Sequence, residues 1–210
     1  MSADESFLEA LKGNICLSGG AIGADLQWGM NAGRDGQSVI HWSFENHESQ
    51  APVQELVRLT EEQLIRADEA LRRASKGIKR PFKDYFSKKV KSLLRRNWYQ
   101  IAWSDSLYAV SKFDHKGCVA GGTGWAVQMF LDRFEKQAQF EPIPAYVYDQ
   151  EQKQWFQWKA GWKPIDCPPK PQGIWAGIGT RDLNDAGKWA IRNLFGWIKP
   201  ETENFQHSNS

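Results

Sequence analysis

Residues 15–25 read ICLSGGAIGAD: a short apolar run, a glycine turn, and the opening of a helix near Ala24. A strand that ends in glycines with a helix behind them gathers backbone N–H groups at the positive end of a helix dipole, an arrangement suited to phosphate or another anion. The passage from apolar run through glycine towards a helix recurs at residues 117–128, GCVAGGTGWAVQ, and at 173–181, GIWAGIGTR. Strands alternating with helices in this way predict an α/β architecture with a mainly parallel central sheet covered on both faces. In such sheets ligands sit beyond the carboxyl ends of the strands, where these glycine loops fall, so the three crossings point to one nucleotide-type cleft.

The chain has 210 residues and a formal charge of +2. That length favours a single domain over 1–198 with elaborations, followed by a loose polar tail at 199–210. The charge is too small to argue for nucleic acid by itself. No apolar run approaches the roughly 20 residues that span a bilayer, and residues 1–12 are acidic where a signal peptide is basic, so the expected location is cytoplasmic, with no membrane partner. Cys16, Cys118 and Cys167 are odd in number and lack paired spacing, and His41, His47, His115 and His207 are scattered. Reduced thiols, no metal site and no cofactor are the expectation. Eleven tryptophans supply either core packing or flat faces for stacking a base.

In chain order the pattern predicts a short helix at 6–12, a buried strand at 14–18, a helix at 24–31 stopped by Gly33, and a strand at 38–44. Apolar residues at helical spacing from Val53 to Leu71 predict one long or two shorter amphipathic helices over 53–73. Between Lys76 and Arg96 nine residues are Lys or Arg against one acid, Asp84. This basic insertion reads as a lip over an anionic ligand, a nucleic-acid surface, or a solvated helix face. Strands follow at 106–113, 116–120 and 145–148, with a helix at 125–136 between the last two. An aromatic-rich excursion occupies about 149–172. A short last strand at 174–177 precedes a closing helix capped by Asp182 or Asn184 and running to about residue 198.

Neither glycine loop is followed by the Lys-Ser or Lys-Thr of a P-loop, and the strict dinucleotide fingerprint is absent. Ordinary P-loop ATPase chemistry and a standard NAD dehydrogenase are therefore poor fits. Asp25 reads as an acceptor for a sugar hydroxyl or as a first-turn acid complementing the helix dipole. Arg96 and Arg181 are candidates for phosphate contact or for salt bridges, and Trp125 either covers a base or seals its helix to the sheet.

The segment SGGAIGAD (Ser18, Gly19, Gly20, Ala21, Gly23 and Asp25 among its residues), with Gly121, Gly122, Thr123 and Gly124, resembles the SLOG superfamily of Rossmann-like proteins. That group includes the cytokinin-activating LOG phosphoribohydrolases and the molybdenum-cofactor carrier proteins. The resemblance covers most of residues 14–195 and implies a Rossmann-like three-layer sandwich. The spacing from Arg96 through Asp105 also resembles the LOG pattern. In that family the second loop reads Pro-Gly-Gly-x-Gly-Thr-x-x-Glu; here Ala120 stands for Pro, Trp125 for Thr and Gln128 for Glu, while Asn97 replaces a Lys. The family Glu and Arg are associated with cleaving the bond between base and ribose. Gln128 can hydrogen-bond a ribose hydroxyl but has no charge and cannot act as a general base.

The resemblance implies a nucleotide or nucleotide-derived ligand, such as an ADP-ribose relative or a cyclic signal. Loss of the family Glu favours a sensor, carrier or sequestering sponge over an enzyme. Two alternatives stand beside it. One is a nucleoside 5'-monophosphate phosphoribohydrolase using Arg96 with Asp25 or Asp105; the other is a DNA-binding processing protein using the basic insertion. Related folds pair through their helices, so a homo-oligomer is also expected.

Overall fold

The computed structural model describes residues 13–83, 86–135 and 141–197. The helix expected at 6–12 and the tail at 199–210 lie outside the described residues. β1 (Ile15–Ser18) leads into α1 (Ala24–Arg34), and β2 (Ser38–Phe44) leads through a 3-10 turn (Val53–Glu55) into β3 (Leu56–Leu59). Three helices follow: α2 (Glu61–Ile65), α3 (Asp68–Gly77) and α4 (Lys88–Ile101). β4 (Ser106–Ser111) then precedes α5 (Gly121–Arg133), β5 (Ile143–Asp149), β6 (Gln154–Trp158), β7 (Trp162–Ile165), β8 (Ile174–Gly179) and α6 (Asp185–Leu194).

The strands form one eight-stranded sheet in the order β3-β2-β1-β8-β4-β5-β6-β7. Neighbours from β3 to β5 are parallel, whereas β6 and β7 add an antiparallel edge. Side-chain alternation builds the layers. Leu107 and Ala109 of β4 pack with α3, α4 and α5, while Tyr108 and Val110 pack with α1 and α6. The result is the three-layer α/β sandwich that the sequence predicts.

From β1 the chain winds outward through β2 to β3, then returns to β4 and winds the other way to β5, with β8 between β1 and β4. This reversal is a topological switch point, and its crevice opens at the carboxyl ends of β1, β8 and β4. Close packing at the centre depends on Gly177, where a Cβ would stand 2.6 Å from the Trp28 ring. The Trp28 indole N–H donates to the Ile178 carbonyl at 3.0 Å, and its ring meets Trp175 edge-on. Trp28, Trp42 and Trp175 are essentially fully buried, each worth roughly 2–3 kcal/mol of apolar burial.

Several element expectations are corrected. The window 53–73 is not all helix, because Leu56–Leu59 pairs in parallel with β2 and satisfies that strand's outer edge. Helix begins only after Thr60, whose hydroxyl accepts from the Gln63 N–H while the Gln63 side chain accepts from the Thr60 N–H, a capping box. Residues 116–120 form a turn with one isolated bridge, Phe113 to Val119. The Asp114 carboxylate there accepts from the Lys116 and Cys118 N–H groups. Gly33 lies inside α1, and Gly36, at φ 80°, follows its end. α5 starts within the glycines at Gly121, ahead of the expected Trp125. The aromatic excursion is the β6–β7 hairpin, and Asn184 caps α6 by accepting from the Gly187 N–H at 2.9 Å.

Candidate functional site

The switch-point crevice is a cleft of about 600 Å³. One wall is the β1–α1 loop at Ala21 and Ile22, and the opposite wall is the start of α5 at Gly121, Gly122 and Thr123. Residues 180–182 after β8, with Lys112 and Gln150 after β4 and β5, complete the rim. Asp25, Arg96, Asn97 and Gln100 also line it.

The first glycine loop is held from behind. Ser18 is fully buried, its hydroxyl 2.6 Å from the Gly177 carbonyl and 2.9 Å from that of Asp25. The residue is a strut between loop and sheet, away from the cleft surface. A Cβ on Gly19 would overlap the Arg96 guanidinium and the Asp25 carboxylate, so glycine is what lets that arginine lie against the loop. Gly20, at φ 63°, turns its carbonyl to the Gln50 N–H at 3.1 Å and the Ser49 hydroxyl at 2.9 Å. At Gly23 a Cβ would overlap the Thr180 carbonyl, and the Ala24 N–H donates to that same carbonyl at 2.9 Å. The first donor of α1 is thus already satisfied within the protein.

Asp25 and Arg96 form a buried pair, with Nη1 to Oδ2 at 2.8 Å. Nη1 also donates to Gln100 Oε1 at 2.7 Å, Gln100 Nε2 donates to Asp25 Oδ2 at 3.3 Å, and the Gly179 N–H donates to Asp25 Oδ1 at 3.0 Å. This network ties α1, α4 and β8 together. Arg96 is 3% exposed, and its buried Nε has no hydrogen-bond partner among the described residues.

The second glycine loop has the opposite character. Ala120 supplies no side-chain cap and the first turn of α5 carries no acid. Among the described residues, the N–H groups of Gly121, Gly122 and Thr123 have no partner. The carbonyls beside them are held by the protein: Arg80 donates to those of Gly121 at 3.2 Å and Val119 at 3.1 Å, and Asn97 donates to that of Gly122 at 3.3 Å. Gly124 is a packing glycine, since a Cβ there would overlap the Val119 carbonyl.

Other sequence candidates fall away from the cleft. Trp125 is 6% exposed and meets Phe82 edge-on, so it seals α5 rather than covering a base. Gln128, expected as a ribose contact, does not line the cleft: helical phase turns it to α3, against Gly77, and its amide donates to Asp132 Oδ1 at 2.7 Å. Arg181 is exposed on the rim and makes no ion pair among the described residues. Much of the basic insertion is engaged: Arg80 with Asp114 at 2.7 Å, Lys89 with Glu48 at 3.0 Å, and Arg95 with Asp68 at 2.7 Å. The sequence reading missed Gln100, Ser111, Lys112, Gln150 and Thr180. Gln100 stands four residues from Arg96 on the same helical face, and the others follow or end strands whose carboxyl ends form the crevice, so both signals were present.

Behind the first loop His41 is fully buried, with Nε2 3.5 Å from Glu55 Oε2 and no hydrogen bond to either ring nitrogen. Burial, with the Arg96 charge, lowers its pKa to about 4. His47, stacked on Phe44, is lowered to about 4 by the same causes in the same order, with Arg181 adding to them. Both imidazoles are neutral at pH 7.

Among the described residues no group of three or more His, Cys, Asp or Glu side chains is placed to hold a metal ion, and no helix is long and apolar enough to cross a membrane. No protein-family model and no curated protein matches the sequence. Among solved structures, the chain is similar to a crystal structure described as that of a "Putative molybdenum carrier protein" from Syntrophus aciditrophicus SB. The likeness has a TM-score of 0.47 at 13% identity and covers 89% of this chain and 96% of that one.

Proposed function

We propose that the cleft holds a nucleotide or nucleotide-derived small molecule of the ADP-ribose or cyclic-nucleotide kind by its phosphate, and that the protein captures this molecule as sensor, carrier or sponge without breaking it. The observation that carries this reading is the uncapped start of α5. Three N–H groups without partners among the described residues lie at the positive end of a 13-residue helix, with the carbonyls of Gly121 and Gly122 held by Arg80 and Asn97. Such an end carries about half a unit of positive charge and is a ready anion site. Arg181 on the rim adds a guanidinium fork suited to a second phosphate oxygen.

Capture is favoured over turnover by the condition of the groups that hydrolysis would need. Both Asp25 oxygens and Arg96 Nη1 are engaged in the buried network. Gln128 is uncharged and faces α3. A glycosidic hydrolase needs a carboxylate or base held within reach of the attacking water; of the other carboxylates that line the cleft, Glu151 is paired with Lys112 at 2.7 Å and Asp182 is exposed on the rim. The nucleic-acid reading is disfavoured because so many cations of the insertion are committed to ion pairs. The test is chromatography of AMP, ADP-ribose, cyclic ADP-ribose and NAD after incubation with stoichiometric protein, before and after heating. A nucleotide that leaves the free pool and returns intact on denaturation supports the reading. Release of base and sugar phosphate, or no depletion of any compound, overturns it.

A further inference from the structure

A second cavity, of about 220 Å³, lies among α3, α4 and the last turns of α5. Gly122 at the cleft and Asp132 at this cavity are ten residues apart on α5, a separation of about 15 Å along the helix. Its apolar wall is Ala70, Trp98 and Met129. Asp132 Oδ1 accepts from the Gln128 amide, but Oδ2 is buried with no hydrogen-bond partner among the described residues. A buried acceptor left so is costly, more so when charged. Burial pushes the Asp132 carboxyl up from its ordinary pKa, with the Gln128 hydrogen bond and then the Arg73 charge opposing. Arg66 and Arg73 line the same space, and neither pairs with a carboxylate among the described residues. Arg133 is already held: it donates to the carbonyls of Ile101 and Ser104 and lies over Phe130 and Phe134.

The cavity therefore offers a carboxylate oxygen without a donor, guanidinium groups without an acceptor, and an apolar wall. A simple anion would meet Asp132 and Glu69, and a simple cation would meet three guanidinium groups. A nucleotide is too large, since sites for drug-sized ligands span roughly 300–1,000 Å³. We propose that this cavity binds a small zwitterion of the α-amino-acid type. Its ammonium donates to Asp132 Oδ2, its carboxylate takes the forks of Arg66 and Arg73, and an aliphatic side chain lies on Trp98 and Met129. The proposal stands independently of the cleft and its ligand.

The test is calorimetry on the full chain with three probes: L-leucine, isovalerate, which lacks the ammonium, and isopentylamine, which lacks the carboxylate. Leucine binds saturably, and each single-charge analogue binds at least about tenfold more weakly. Asp132→Asn, nearly isosteric, and Arg73→Ala, at an exposed side chain, each weaken leucine at least about tenfold. Circular dichroism and the unfolding midpoint check that each variant is folded, and Arg73→Ala keeps the test open if Asp132→Asn is not. No saturable leucine binding up to about 10 mM, binding of isovalerate equal to leucine, or undiminished leucine binding in a folded variant overturns the proposal.

Discussion

Arg96→Met leaves the Asp25 carboxylate in place with its side chain 9% exposed and its cation gone. Of the contacts that hold Asp25, only the Gly179 N–H at 3.0 Å and the Gln100 amide at 3.3 Å remain. The methionine fills most of the arginine's stem volume, so the cost is mainly electrostatic. Removing one partner of a buried pair costs about 3–5 kcal/mol, and with a urea dependence of about 2 kcal/mol/M the unfolding midpoint falls by roughly 2 M. Adding Asp25→Asn removes the stranded charge, and the double variant recovers at least about 2 kcal/mol relative to the sum of the singles. Urea denaturation of the wild type, both singles and the double gives the coupling directly. A loss below about 1 kcal/mol in Arg96→Met, or strictly additive singles, would refute the view that Arg96 is committed to Asp25 and return it to the pool of groups free to act on a ligand.

Gln128→Glu restores the acidic residue of the resembling hydrolases, but it faces α3 and stands against Asp132. The variant loses about 1 kcal/mol, from the lost amide hydrogen bond to Asp132 together with like-charge contact, and gains no AMP hydrolysis; appearance of free adenine would contradict the placement. His41 has a folded pKa of about 4 against an ordinary 6.5, so the unfolded chain takes up the proton first. Stability is full above pH 6.5 and falls by about 3 kcal/mol as pH drops towards 4. His47 is lowered in the same way and adds to the fall, so His41→Leu reduces the slope of urea-unfolding free energy across that window without abolishing it, and a wild-type profile equal at pH 7.5 and 4.5 would remove the argument. Asp149 accepts from the N–H groups of Phe113, Glu151 and Gln152 at 2.9 Å each. Asp149→Asn puts an amide N–H against the part-buried Phe113 N–H, which loses its acceptor, and lowers stability by about 1 kcal/mol, read as an unfolding midpoint, with an unchanged midpoint as the contrary result.

The sheet was legible because β1, β4 and β8 each lead through glycine towards a helical pattern, while β2 and β5 are short runs of β-branched and aromatic residues. β3 was hidden because four residues, Leu56–Leu59, sit in a window whose apolar spacing also fits a helix, and only the open edge of β2 decides between them. The central position of β8 was equally out of reach, since strand order is set by long-range pairing that no local pattern encodes. At the cleft, the glycine loops mark the walls, yet their different characters depend on distant partners. Thr180 caps α1 from 156 residues away in the chain, whereas Arg80 draws back the carbonyls of the second loop. The alignment that placed Gln128 in the site matched residue types along the chain. Helical phase and the room left by Gly77 turned it elsewhere.

The claim that the start of α5 is the anion-binding element is tested by Gly122→Asp. A Cβ at Gly122 meets only Leu94, at 4.0 Å, so the substitution fits, and a carboxylate in the first turn of a helix stabilises it by about 0.3–1 kcal/mol. Calorimetric titration of ADP-ribose into wild type and variant, with both thermal midpoints measured, separates folding from binding. The account predicts a midpoint equal to or above that of the wild type together with an affinity at least about tenfold lower. Unchanged ADP-ribose affinity in a folded Gly122→Asp protein would contradict it.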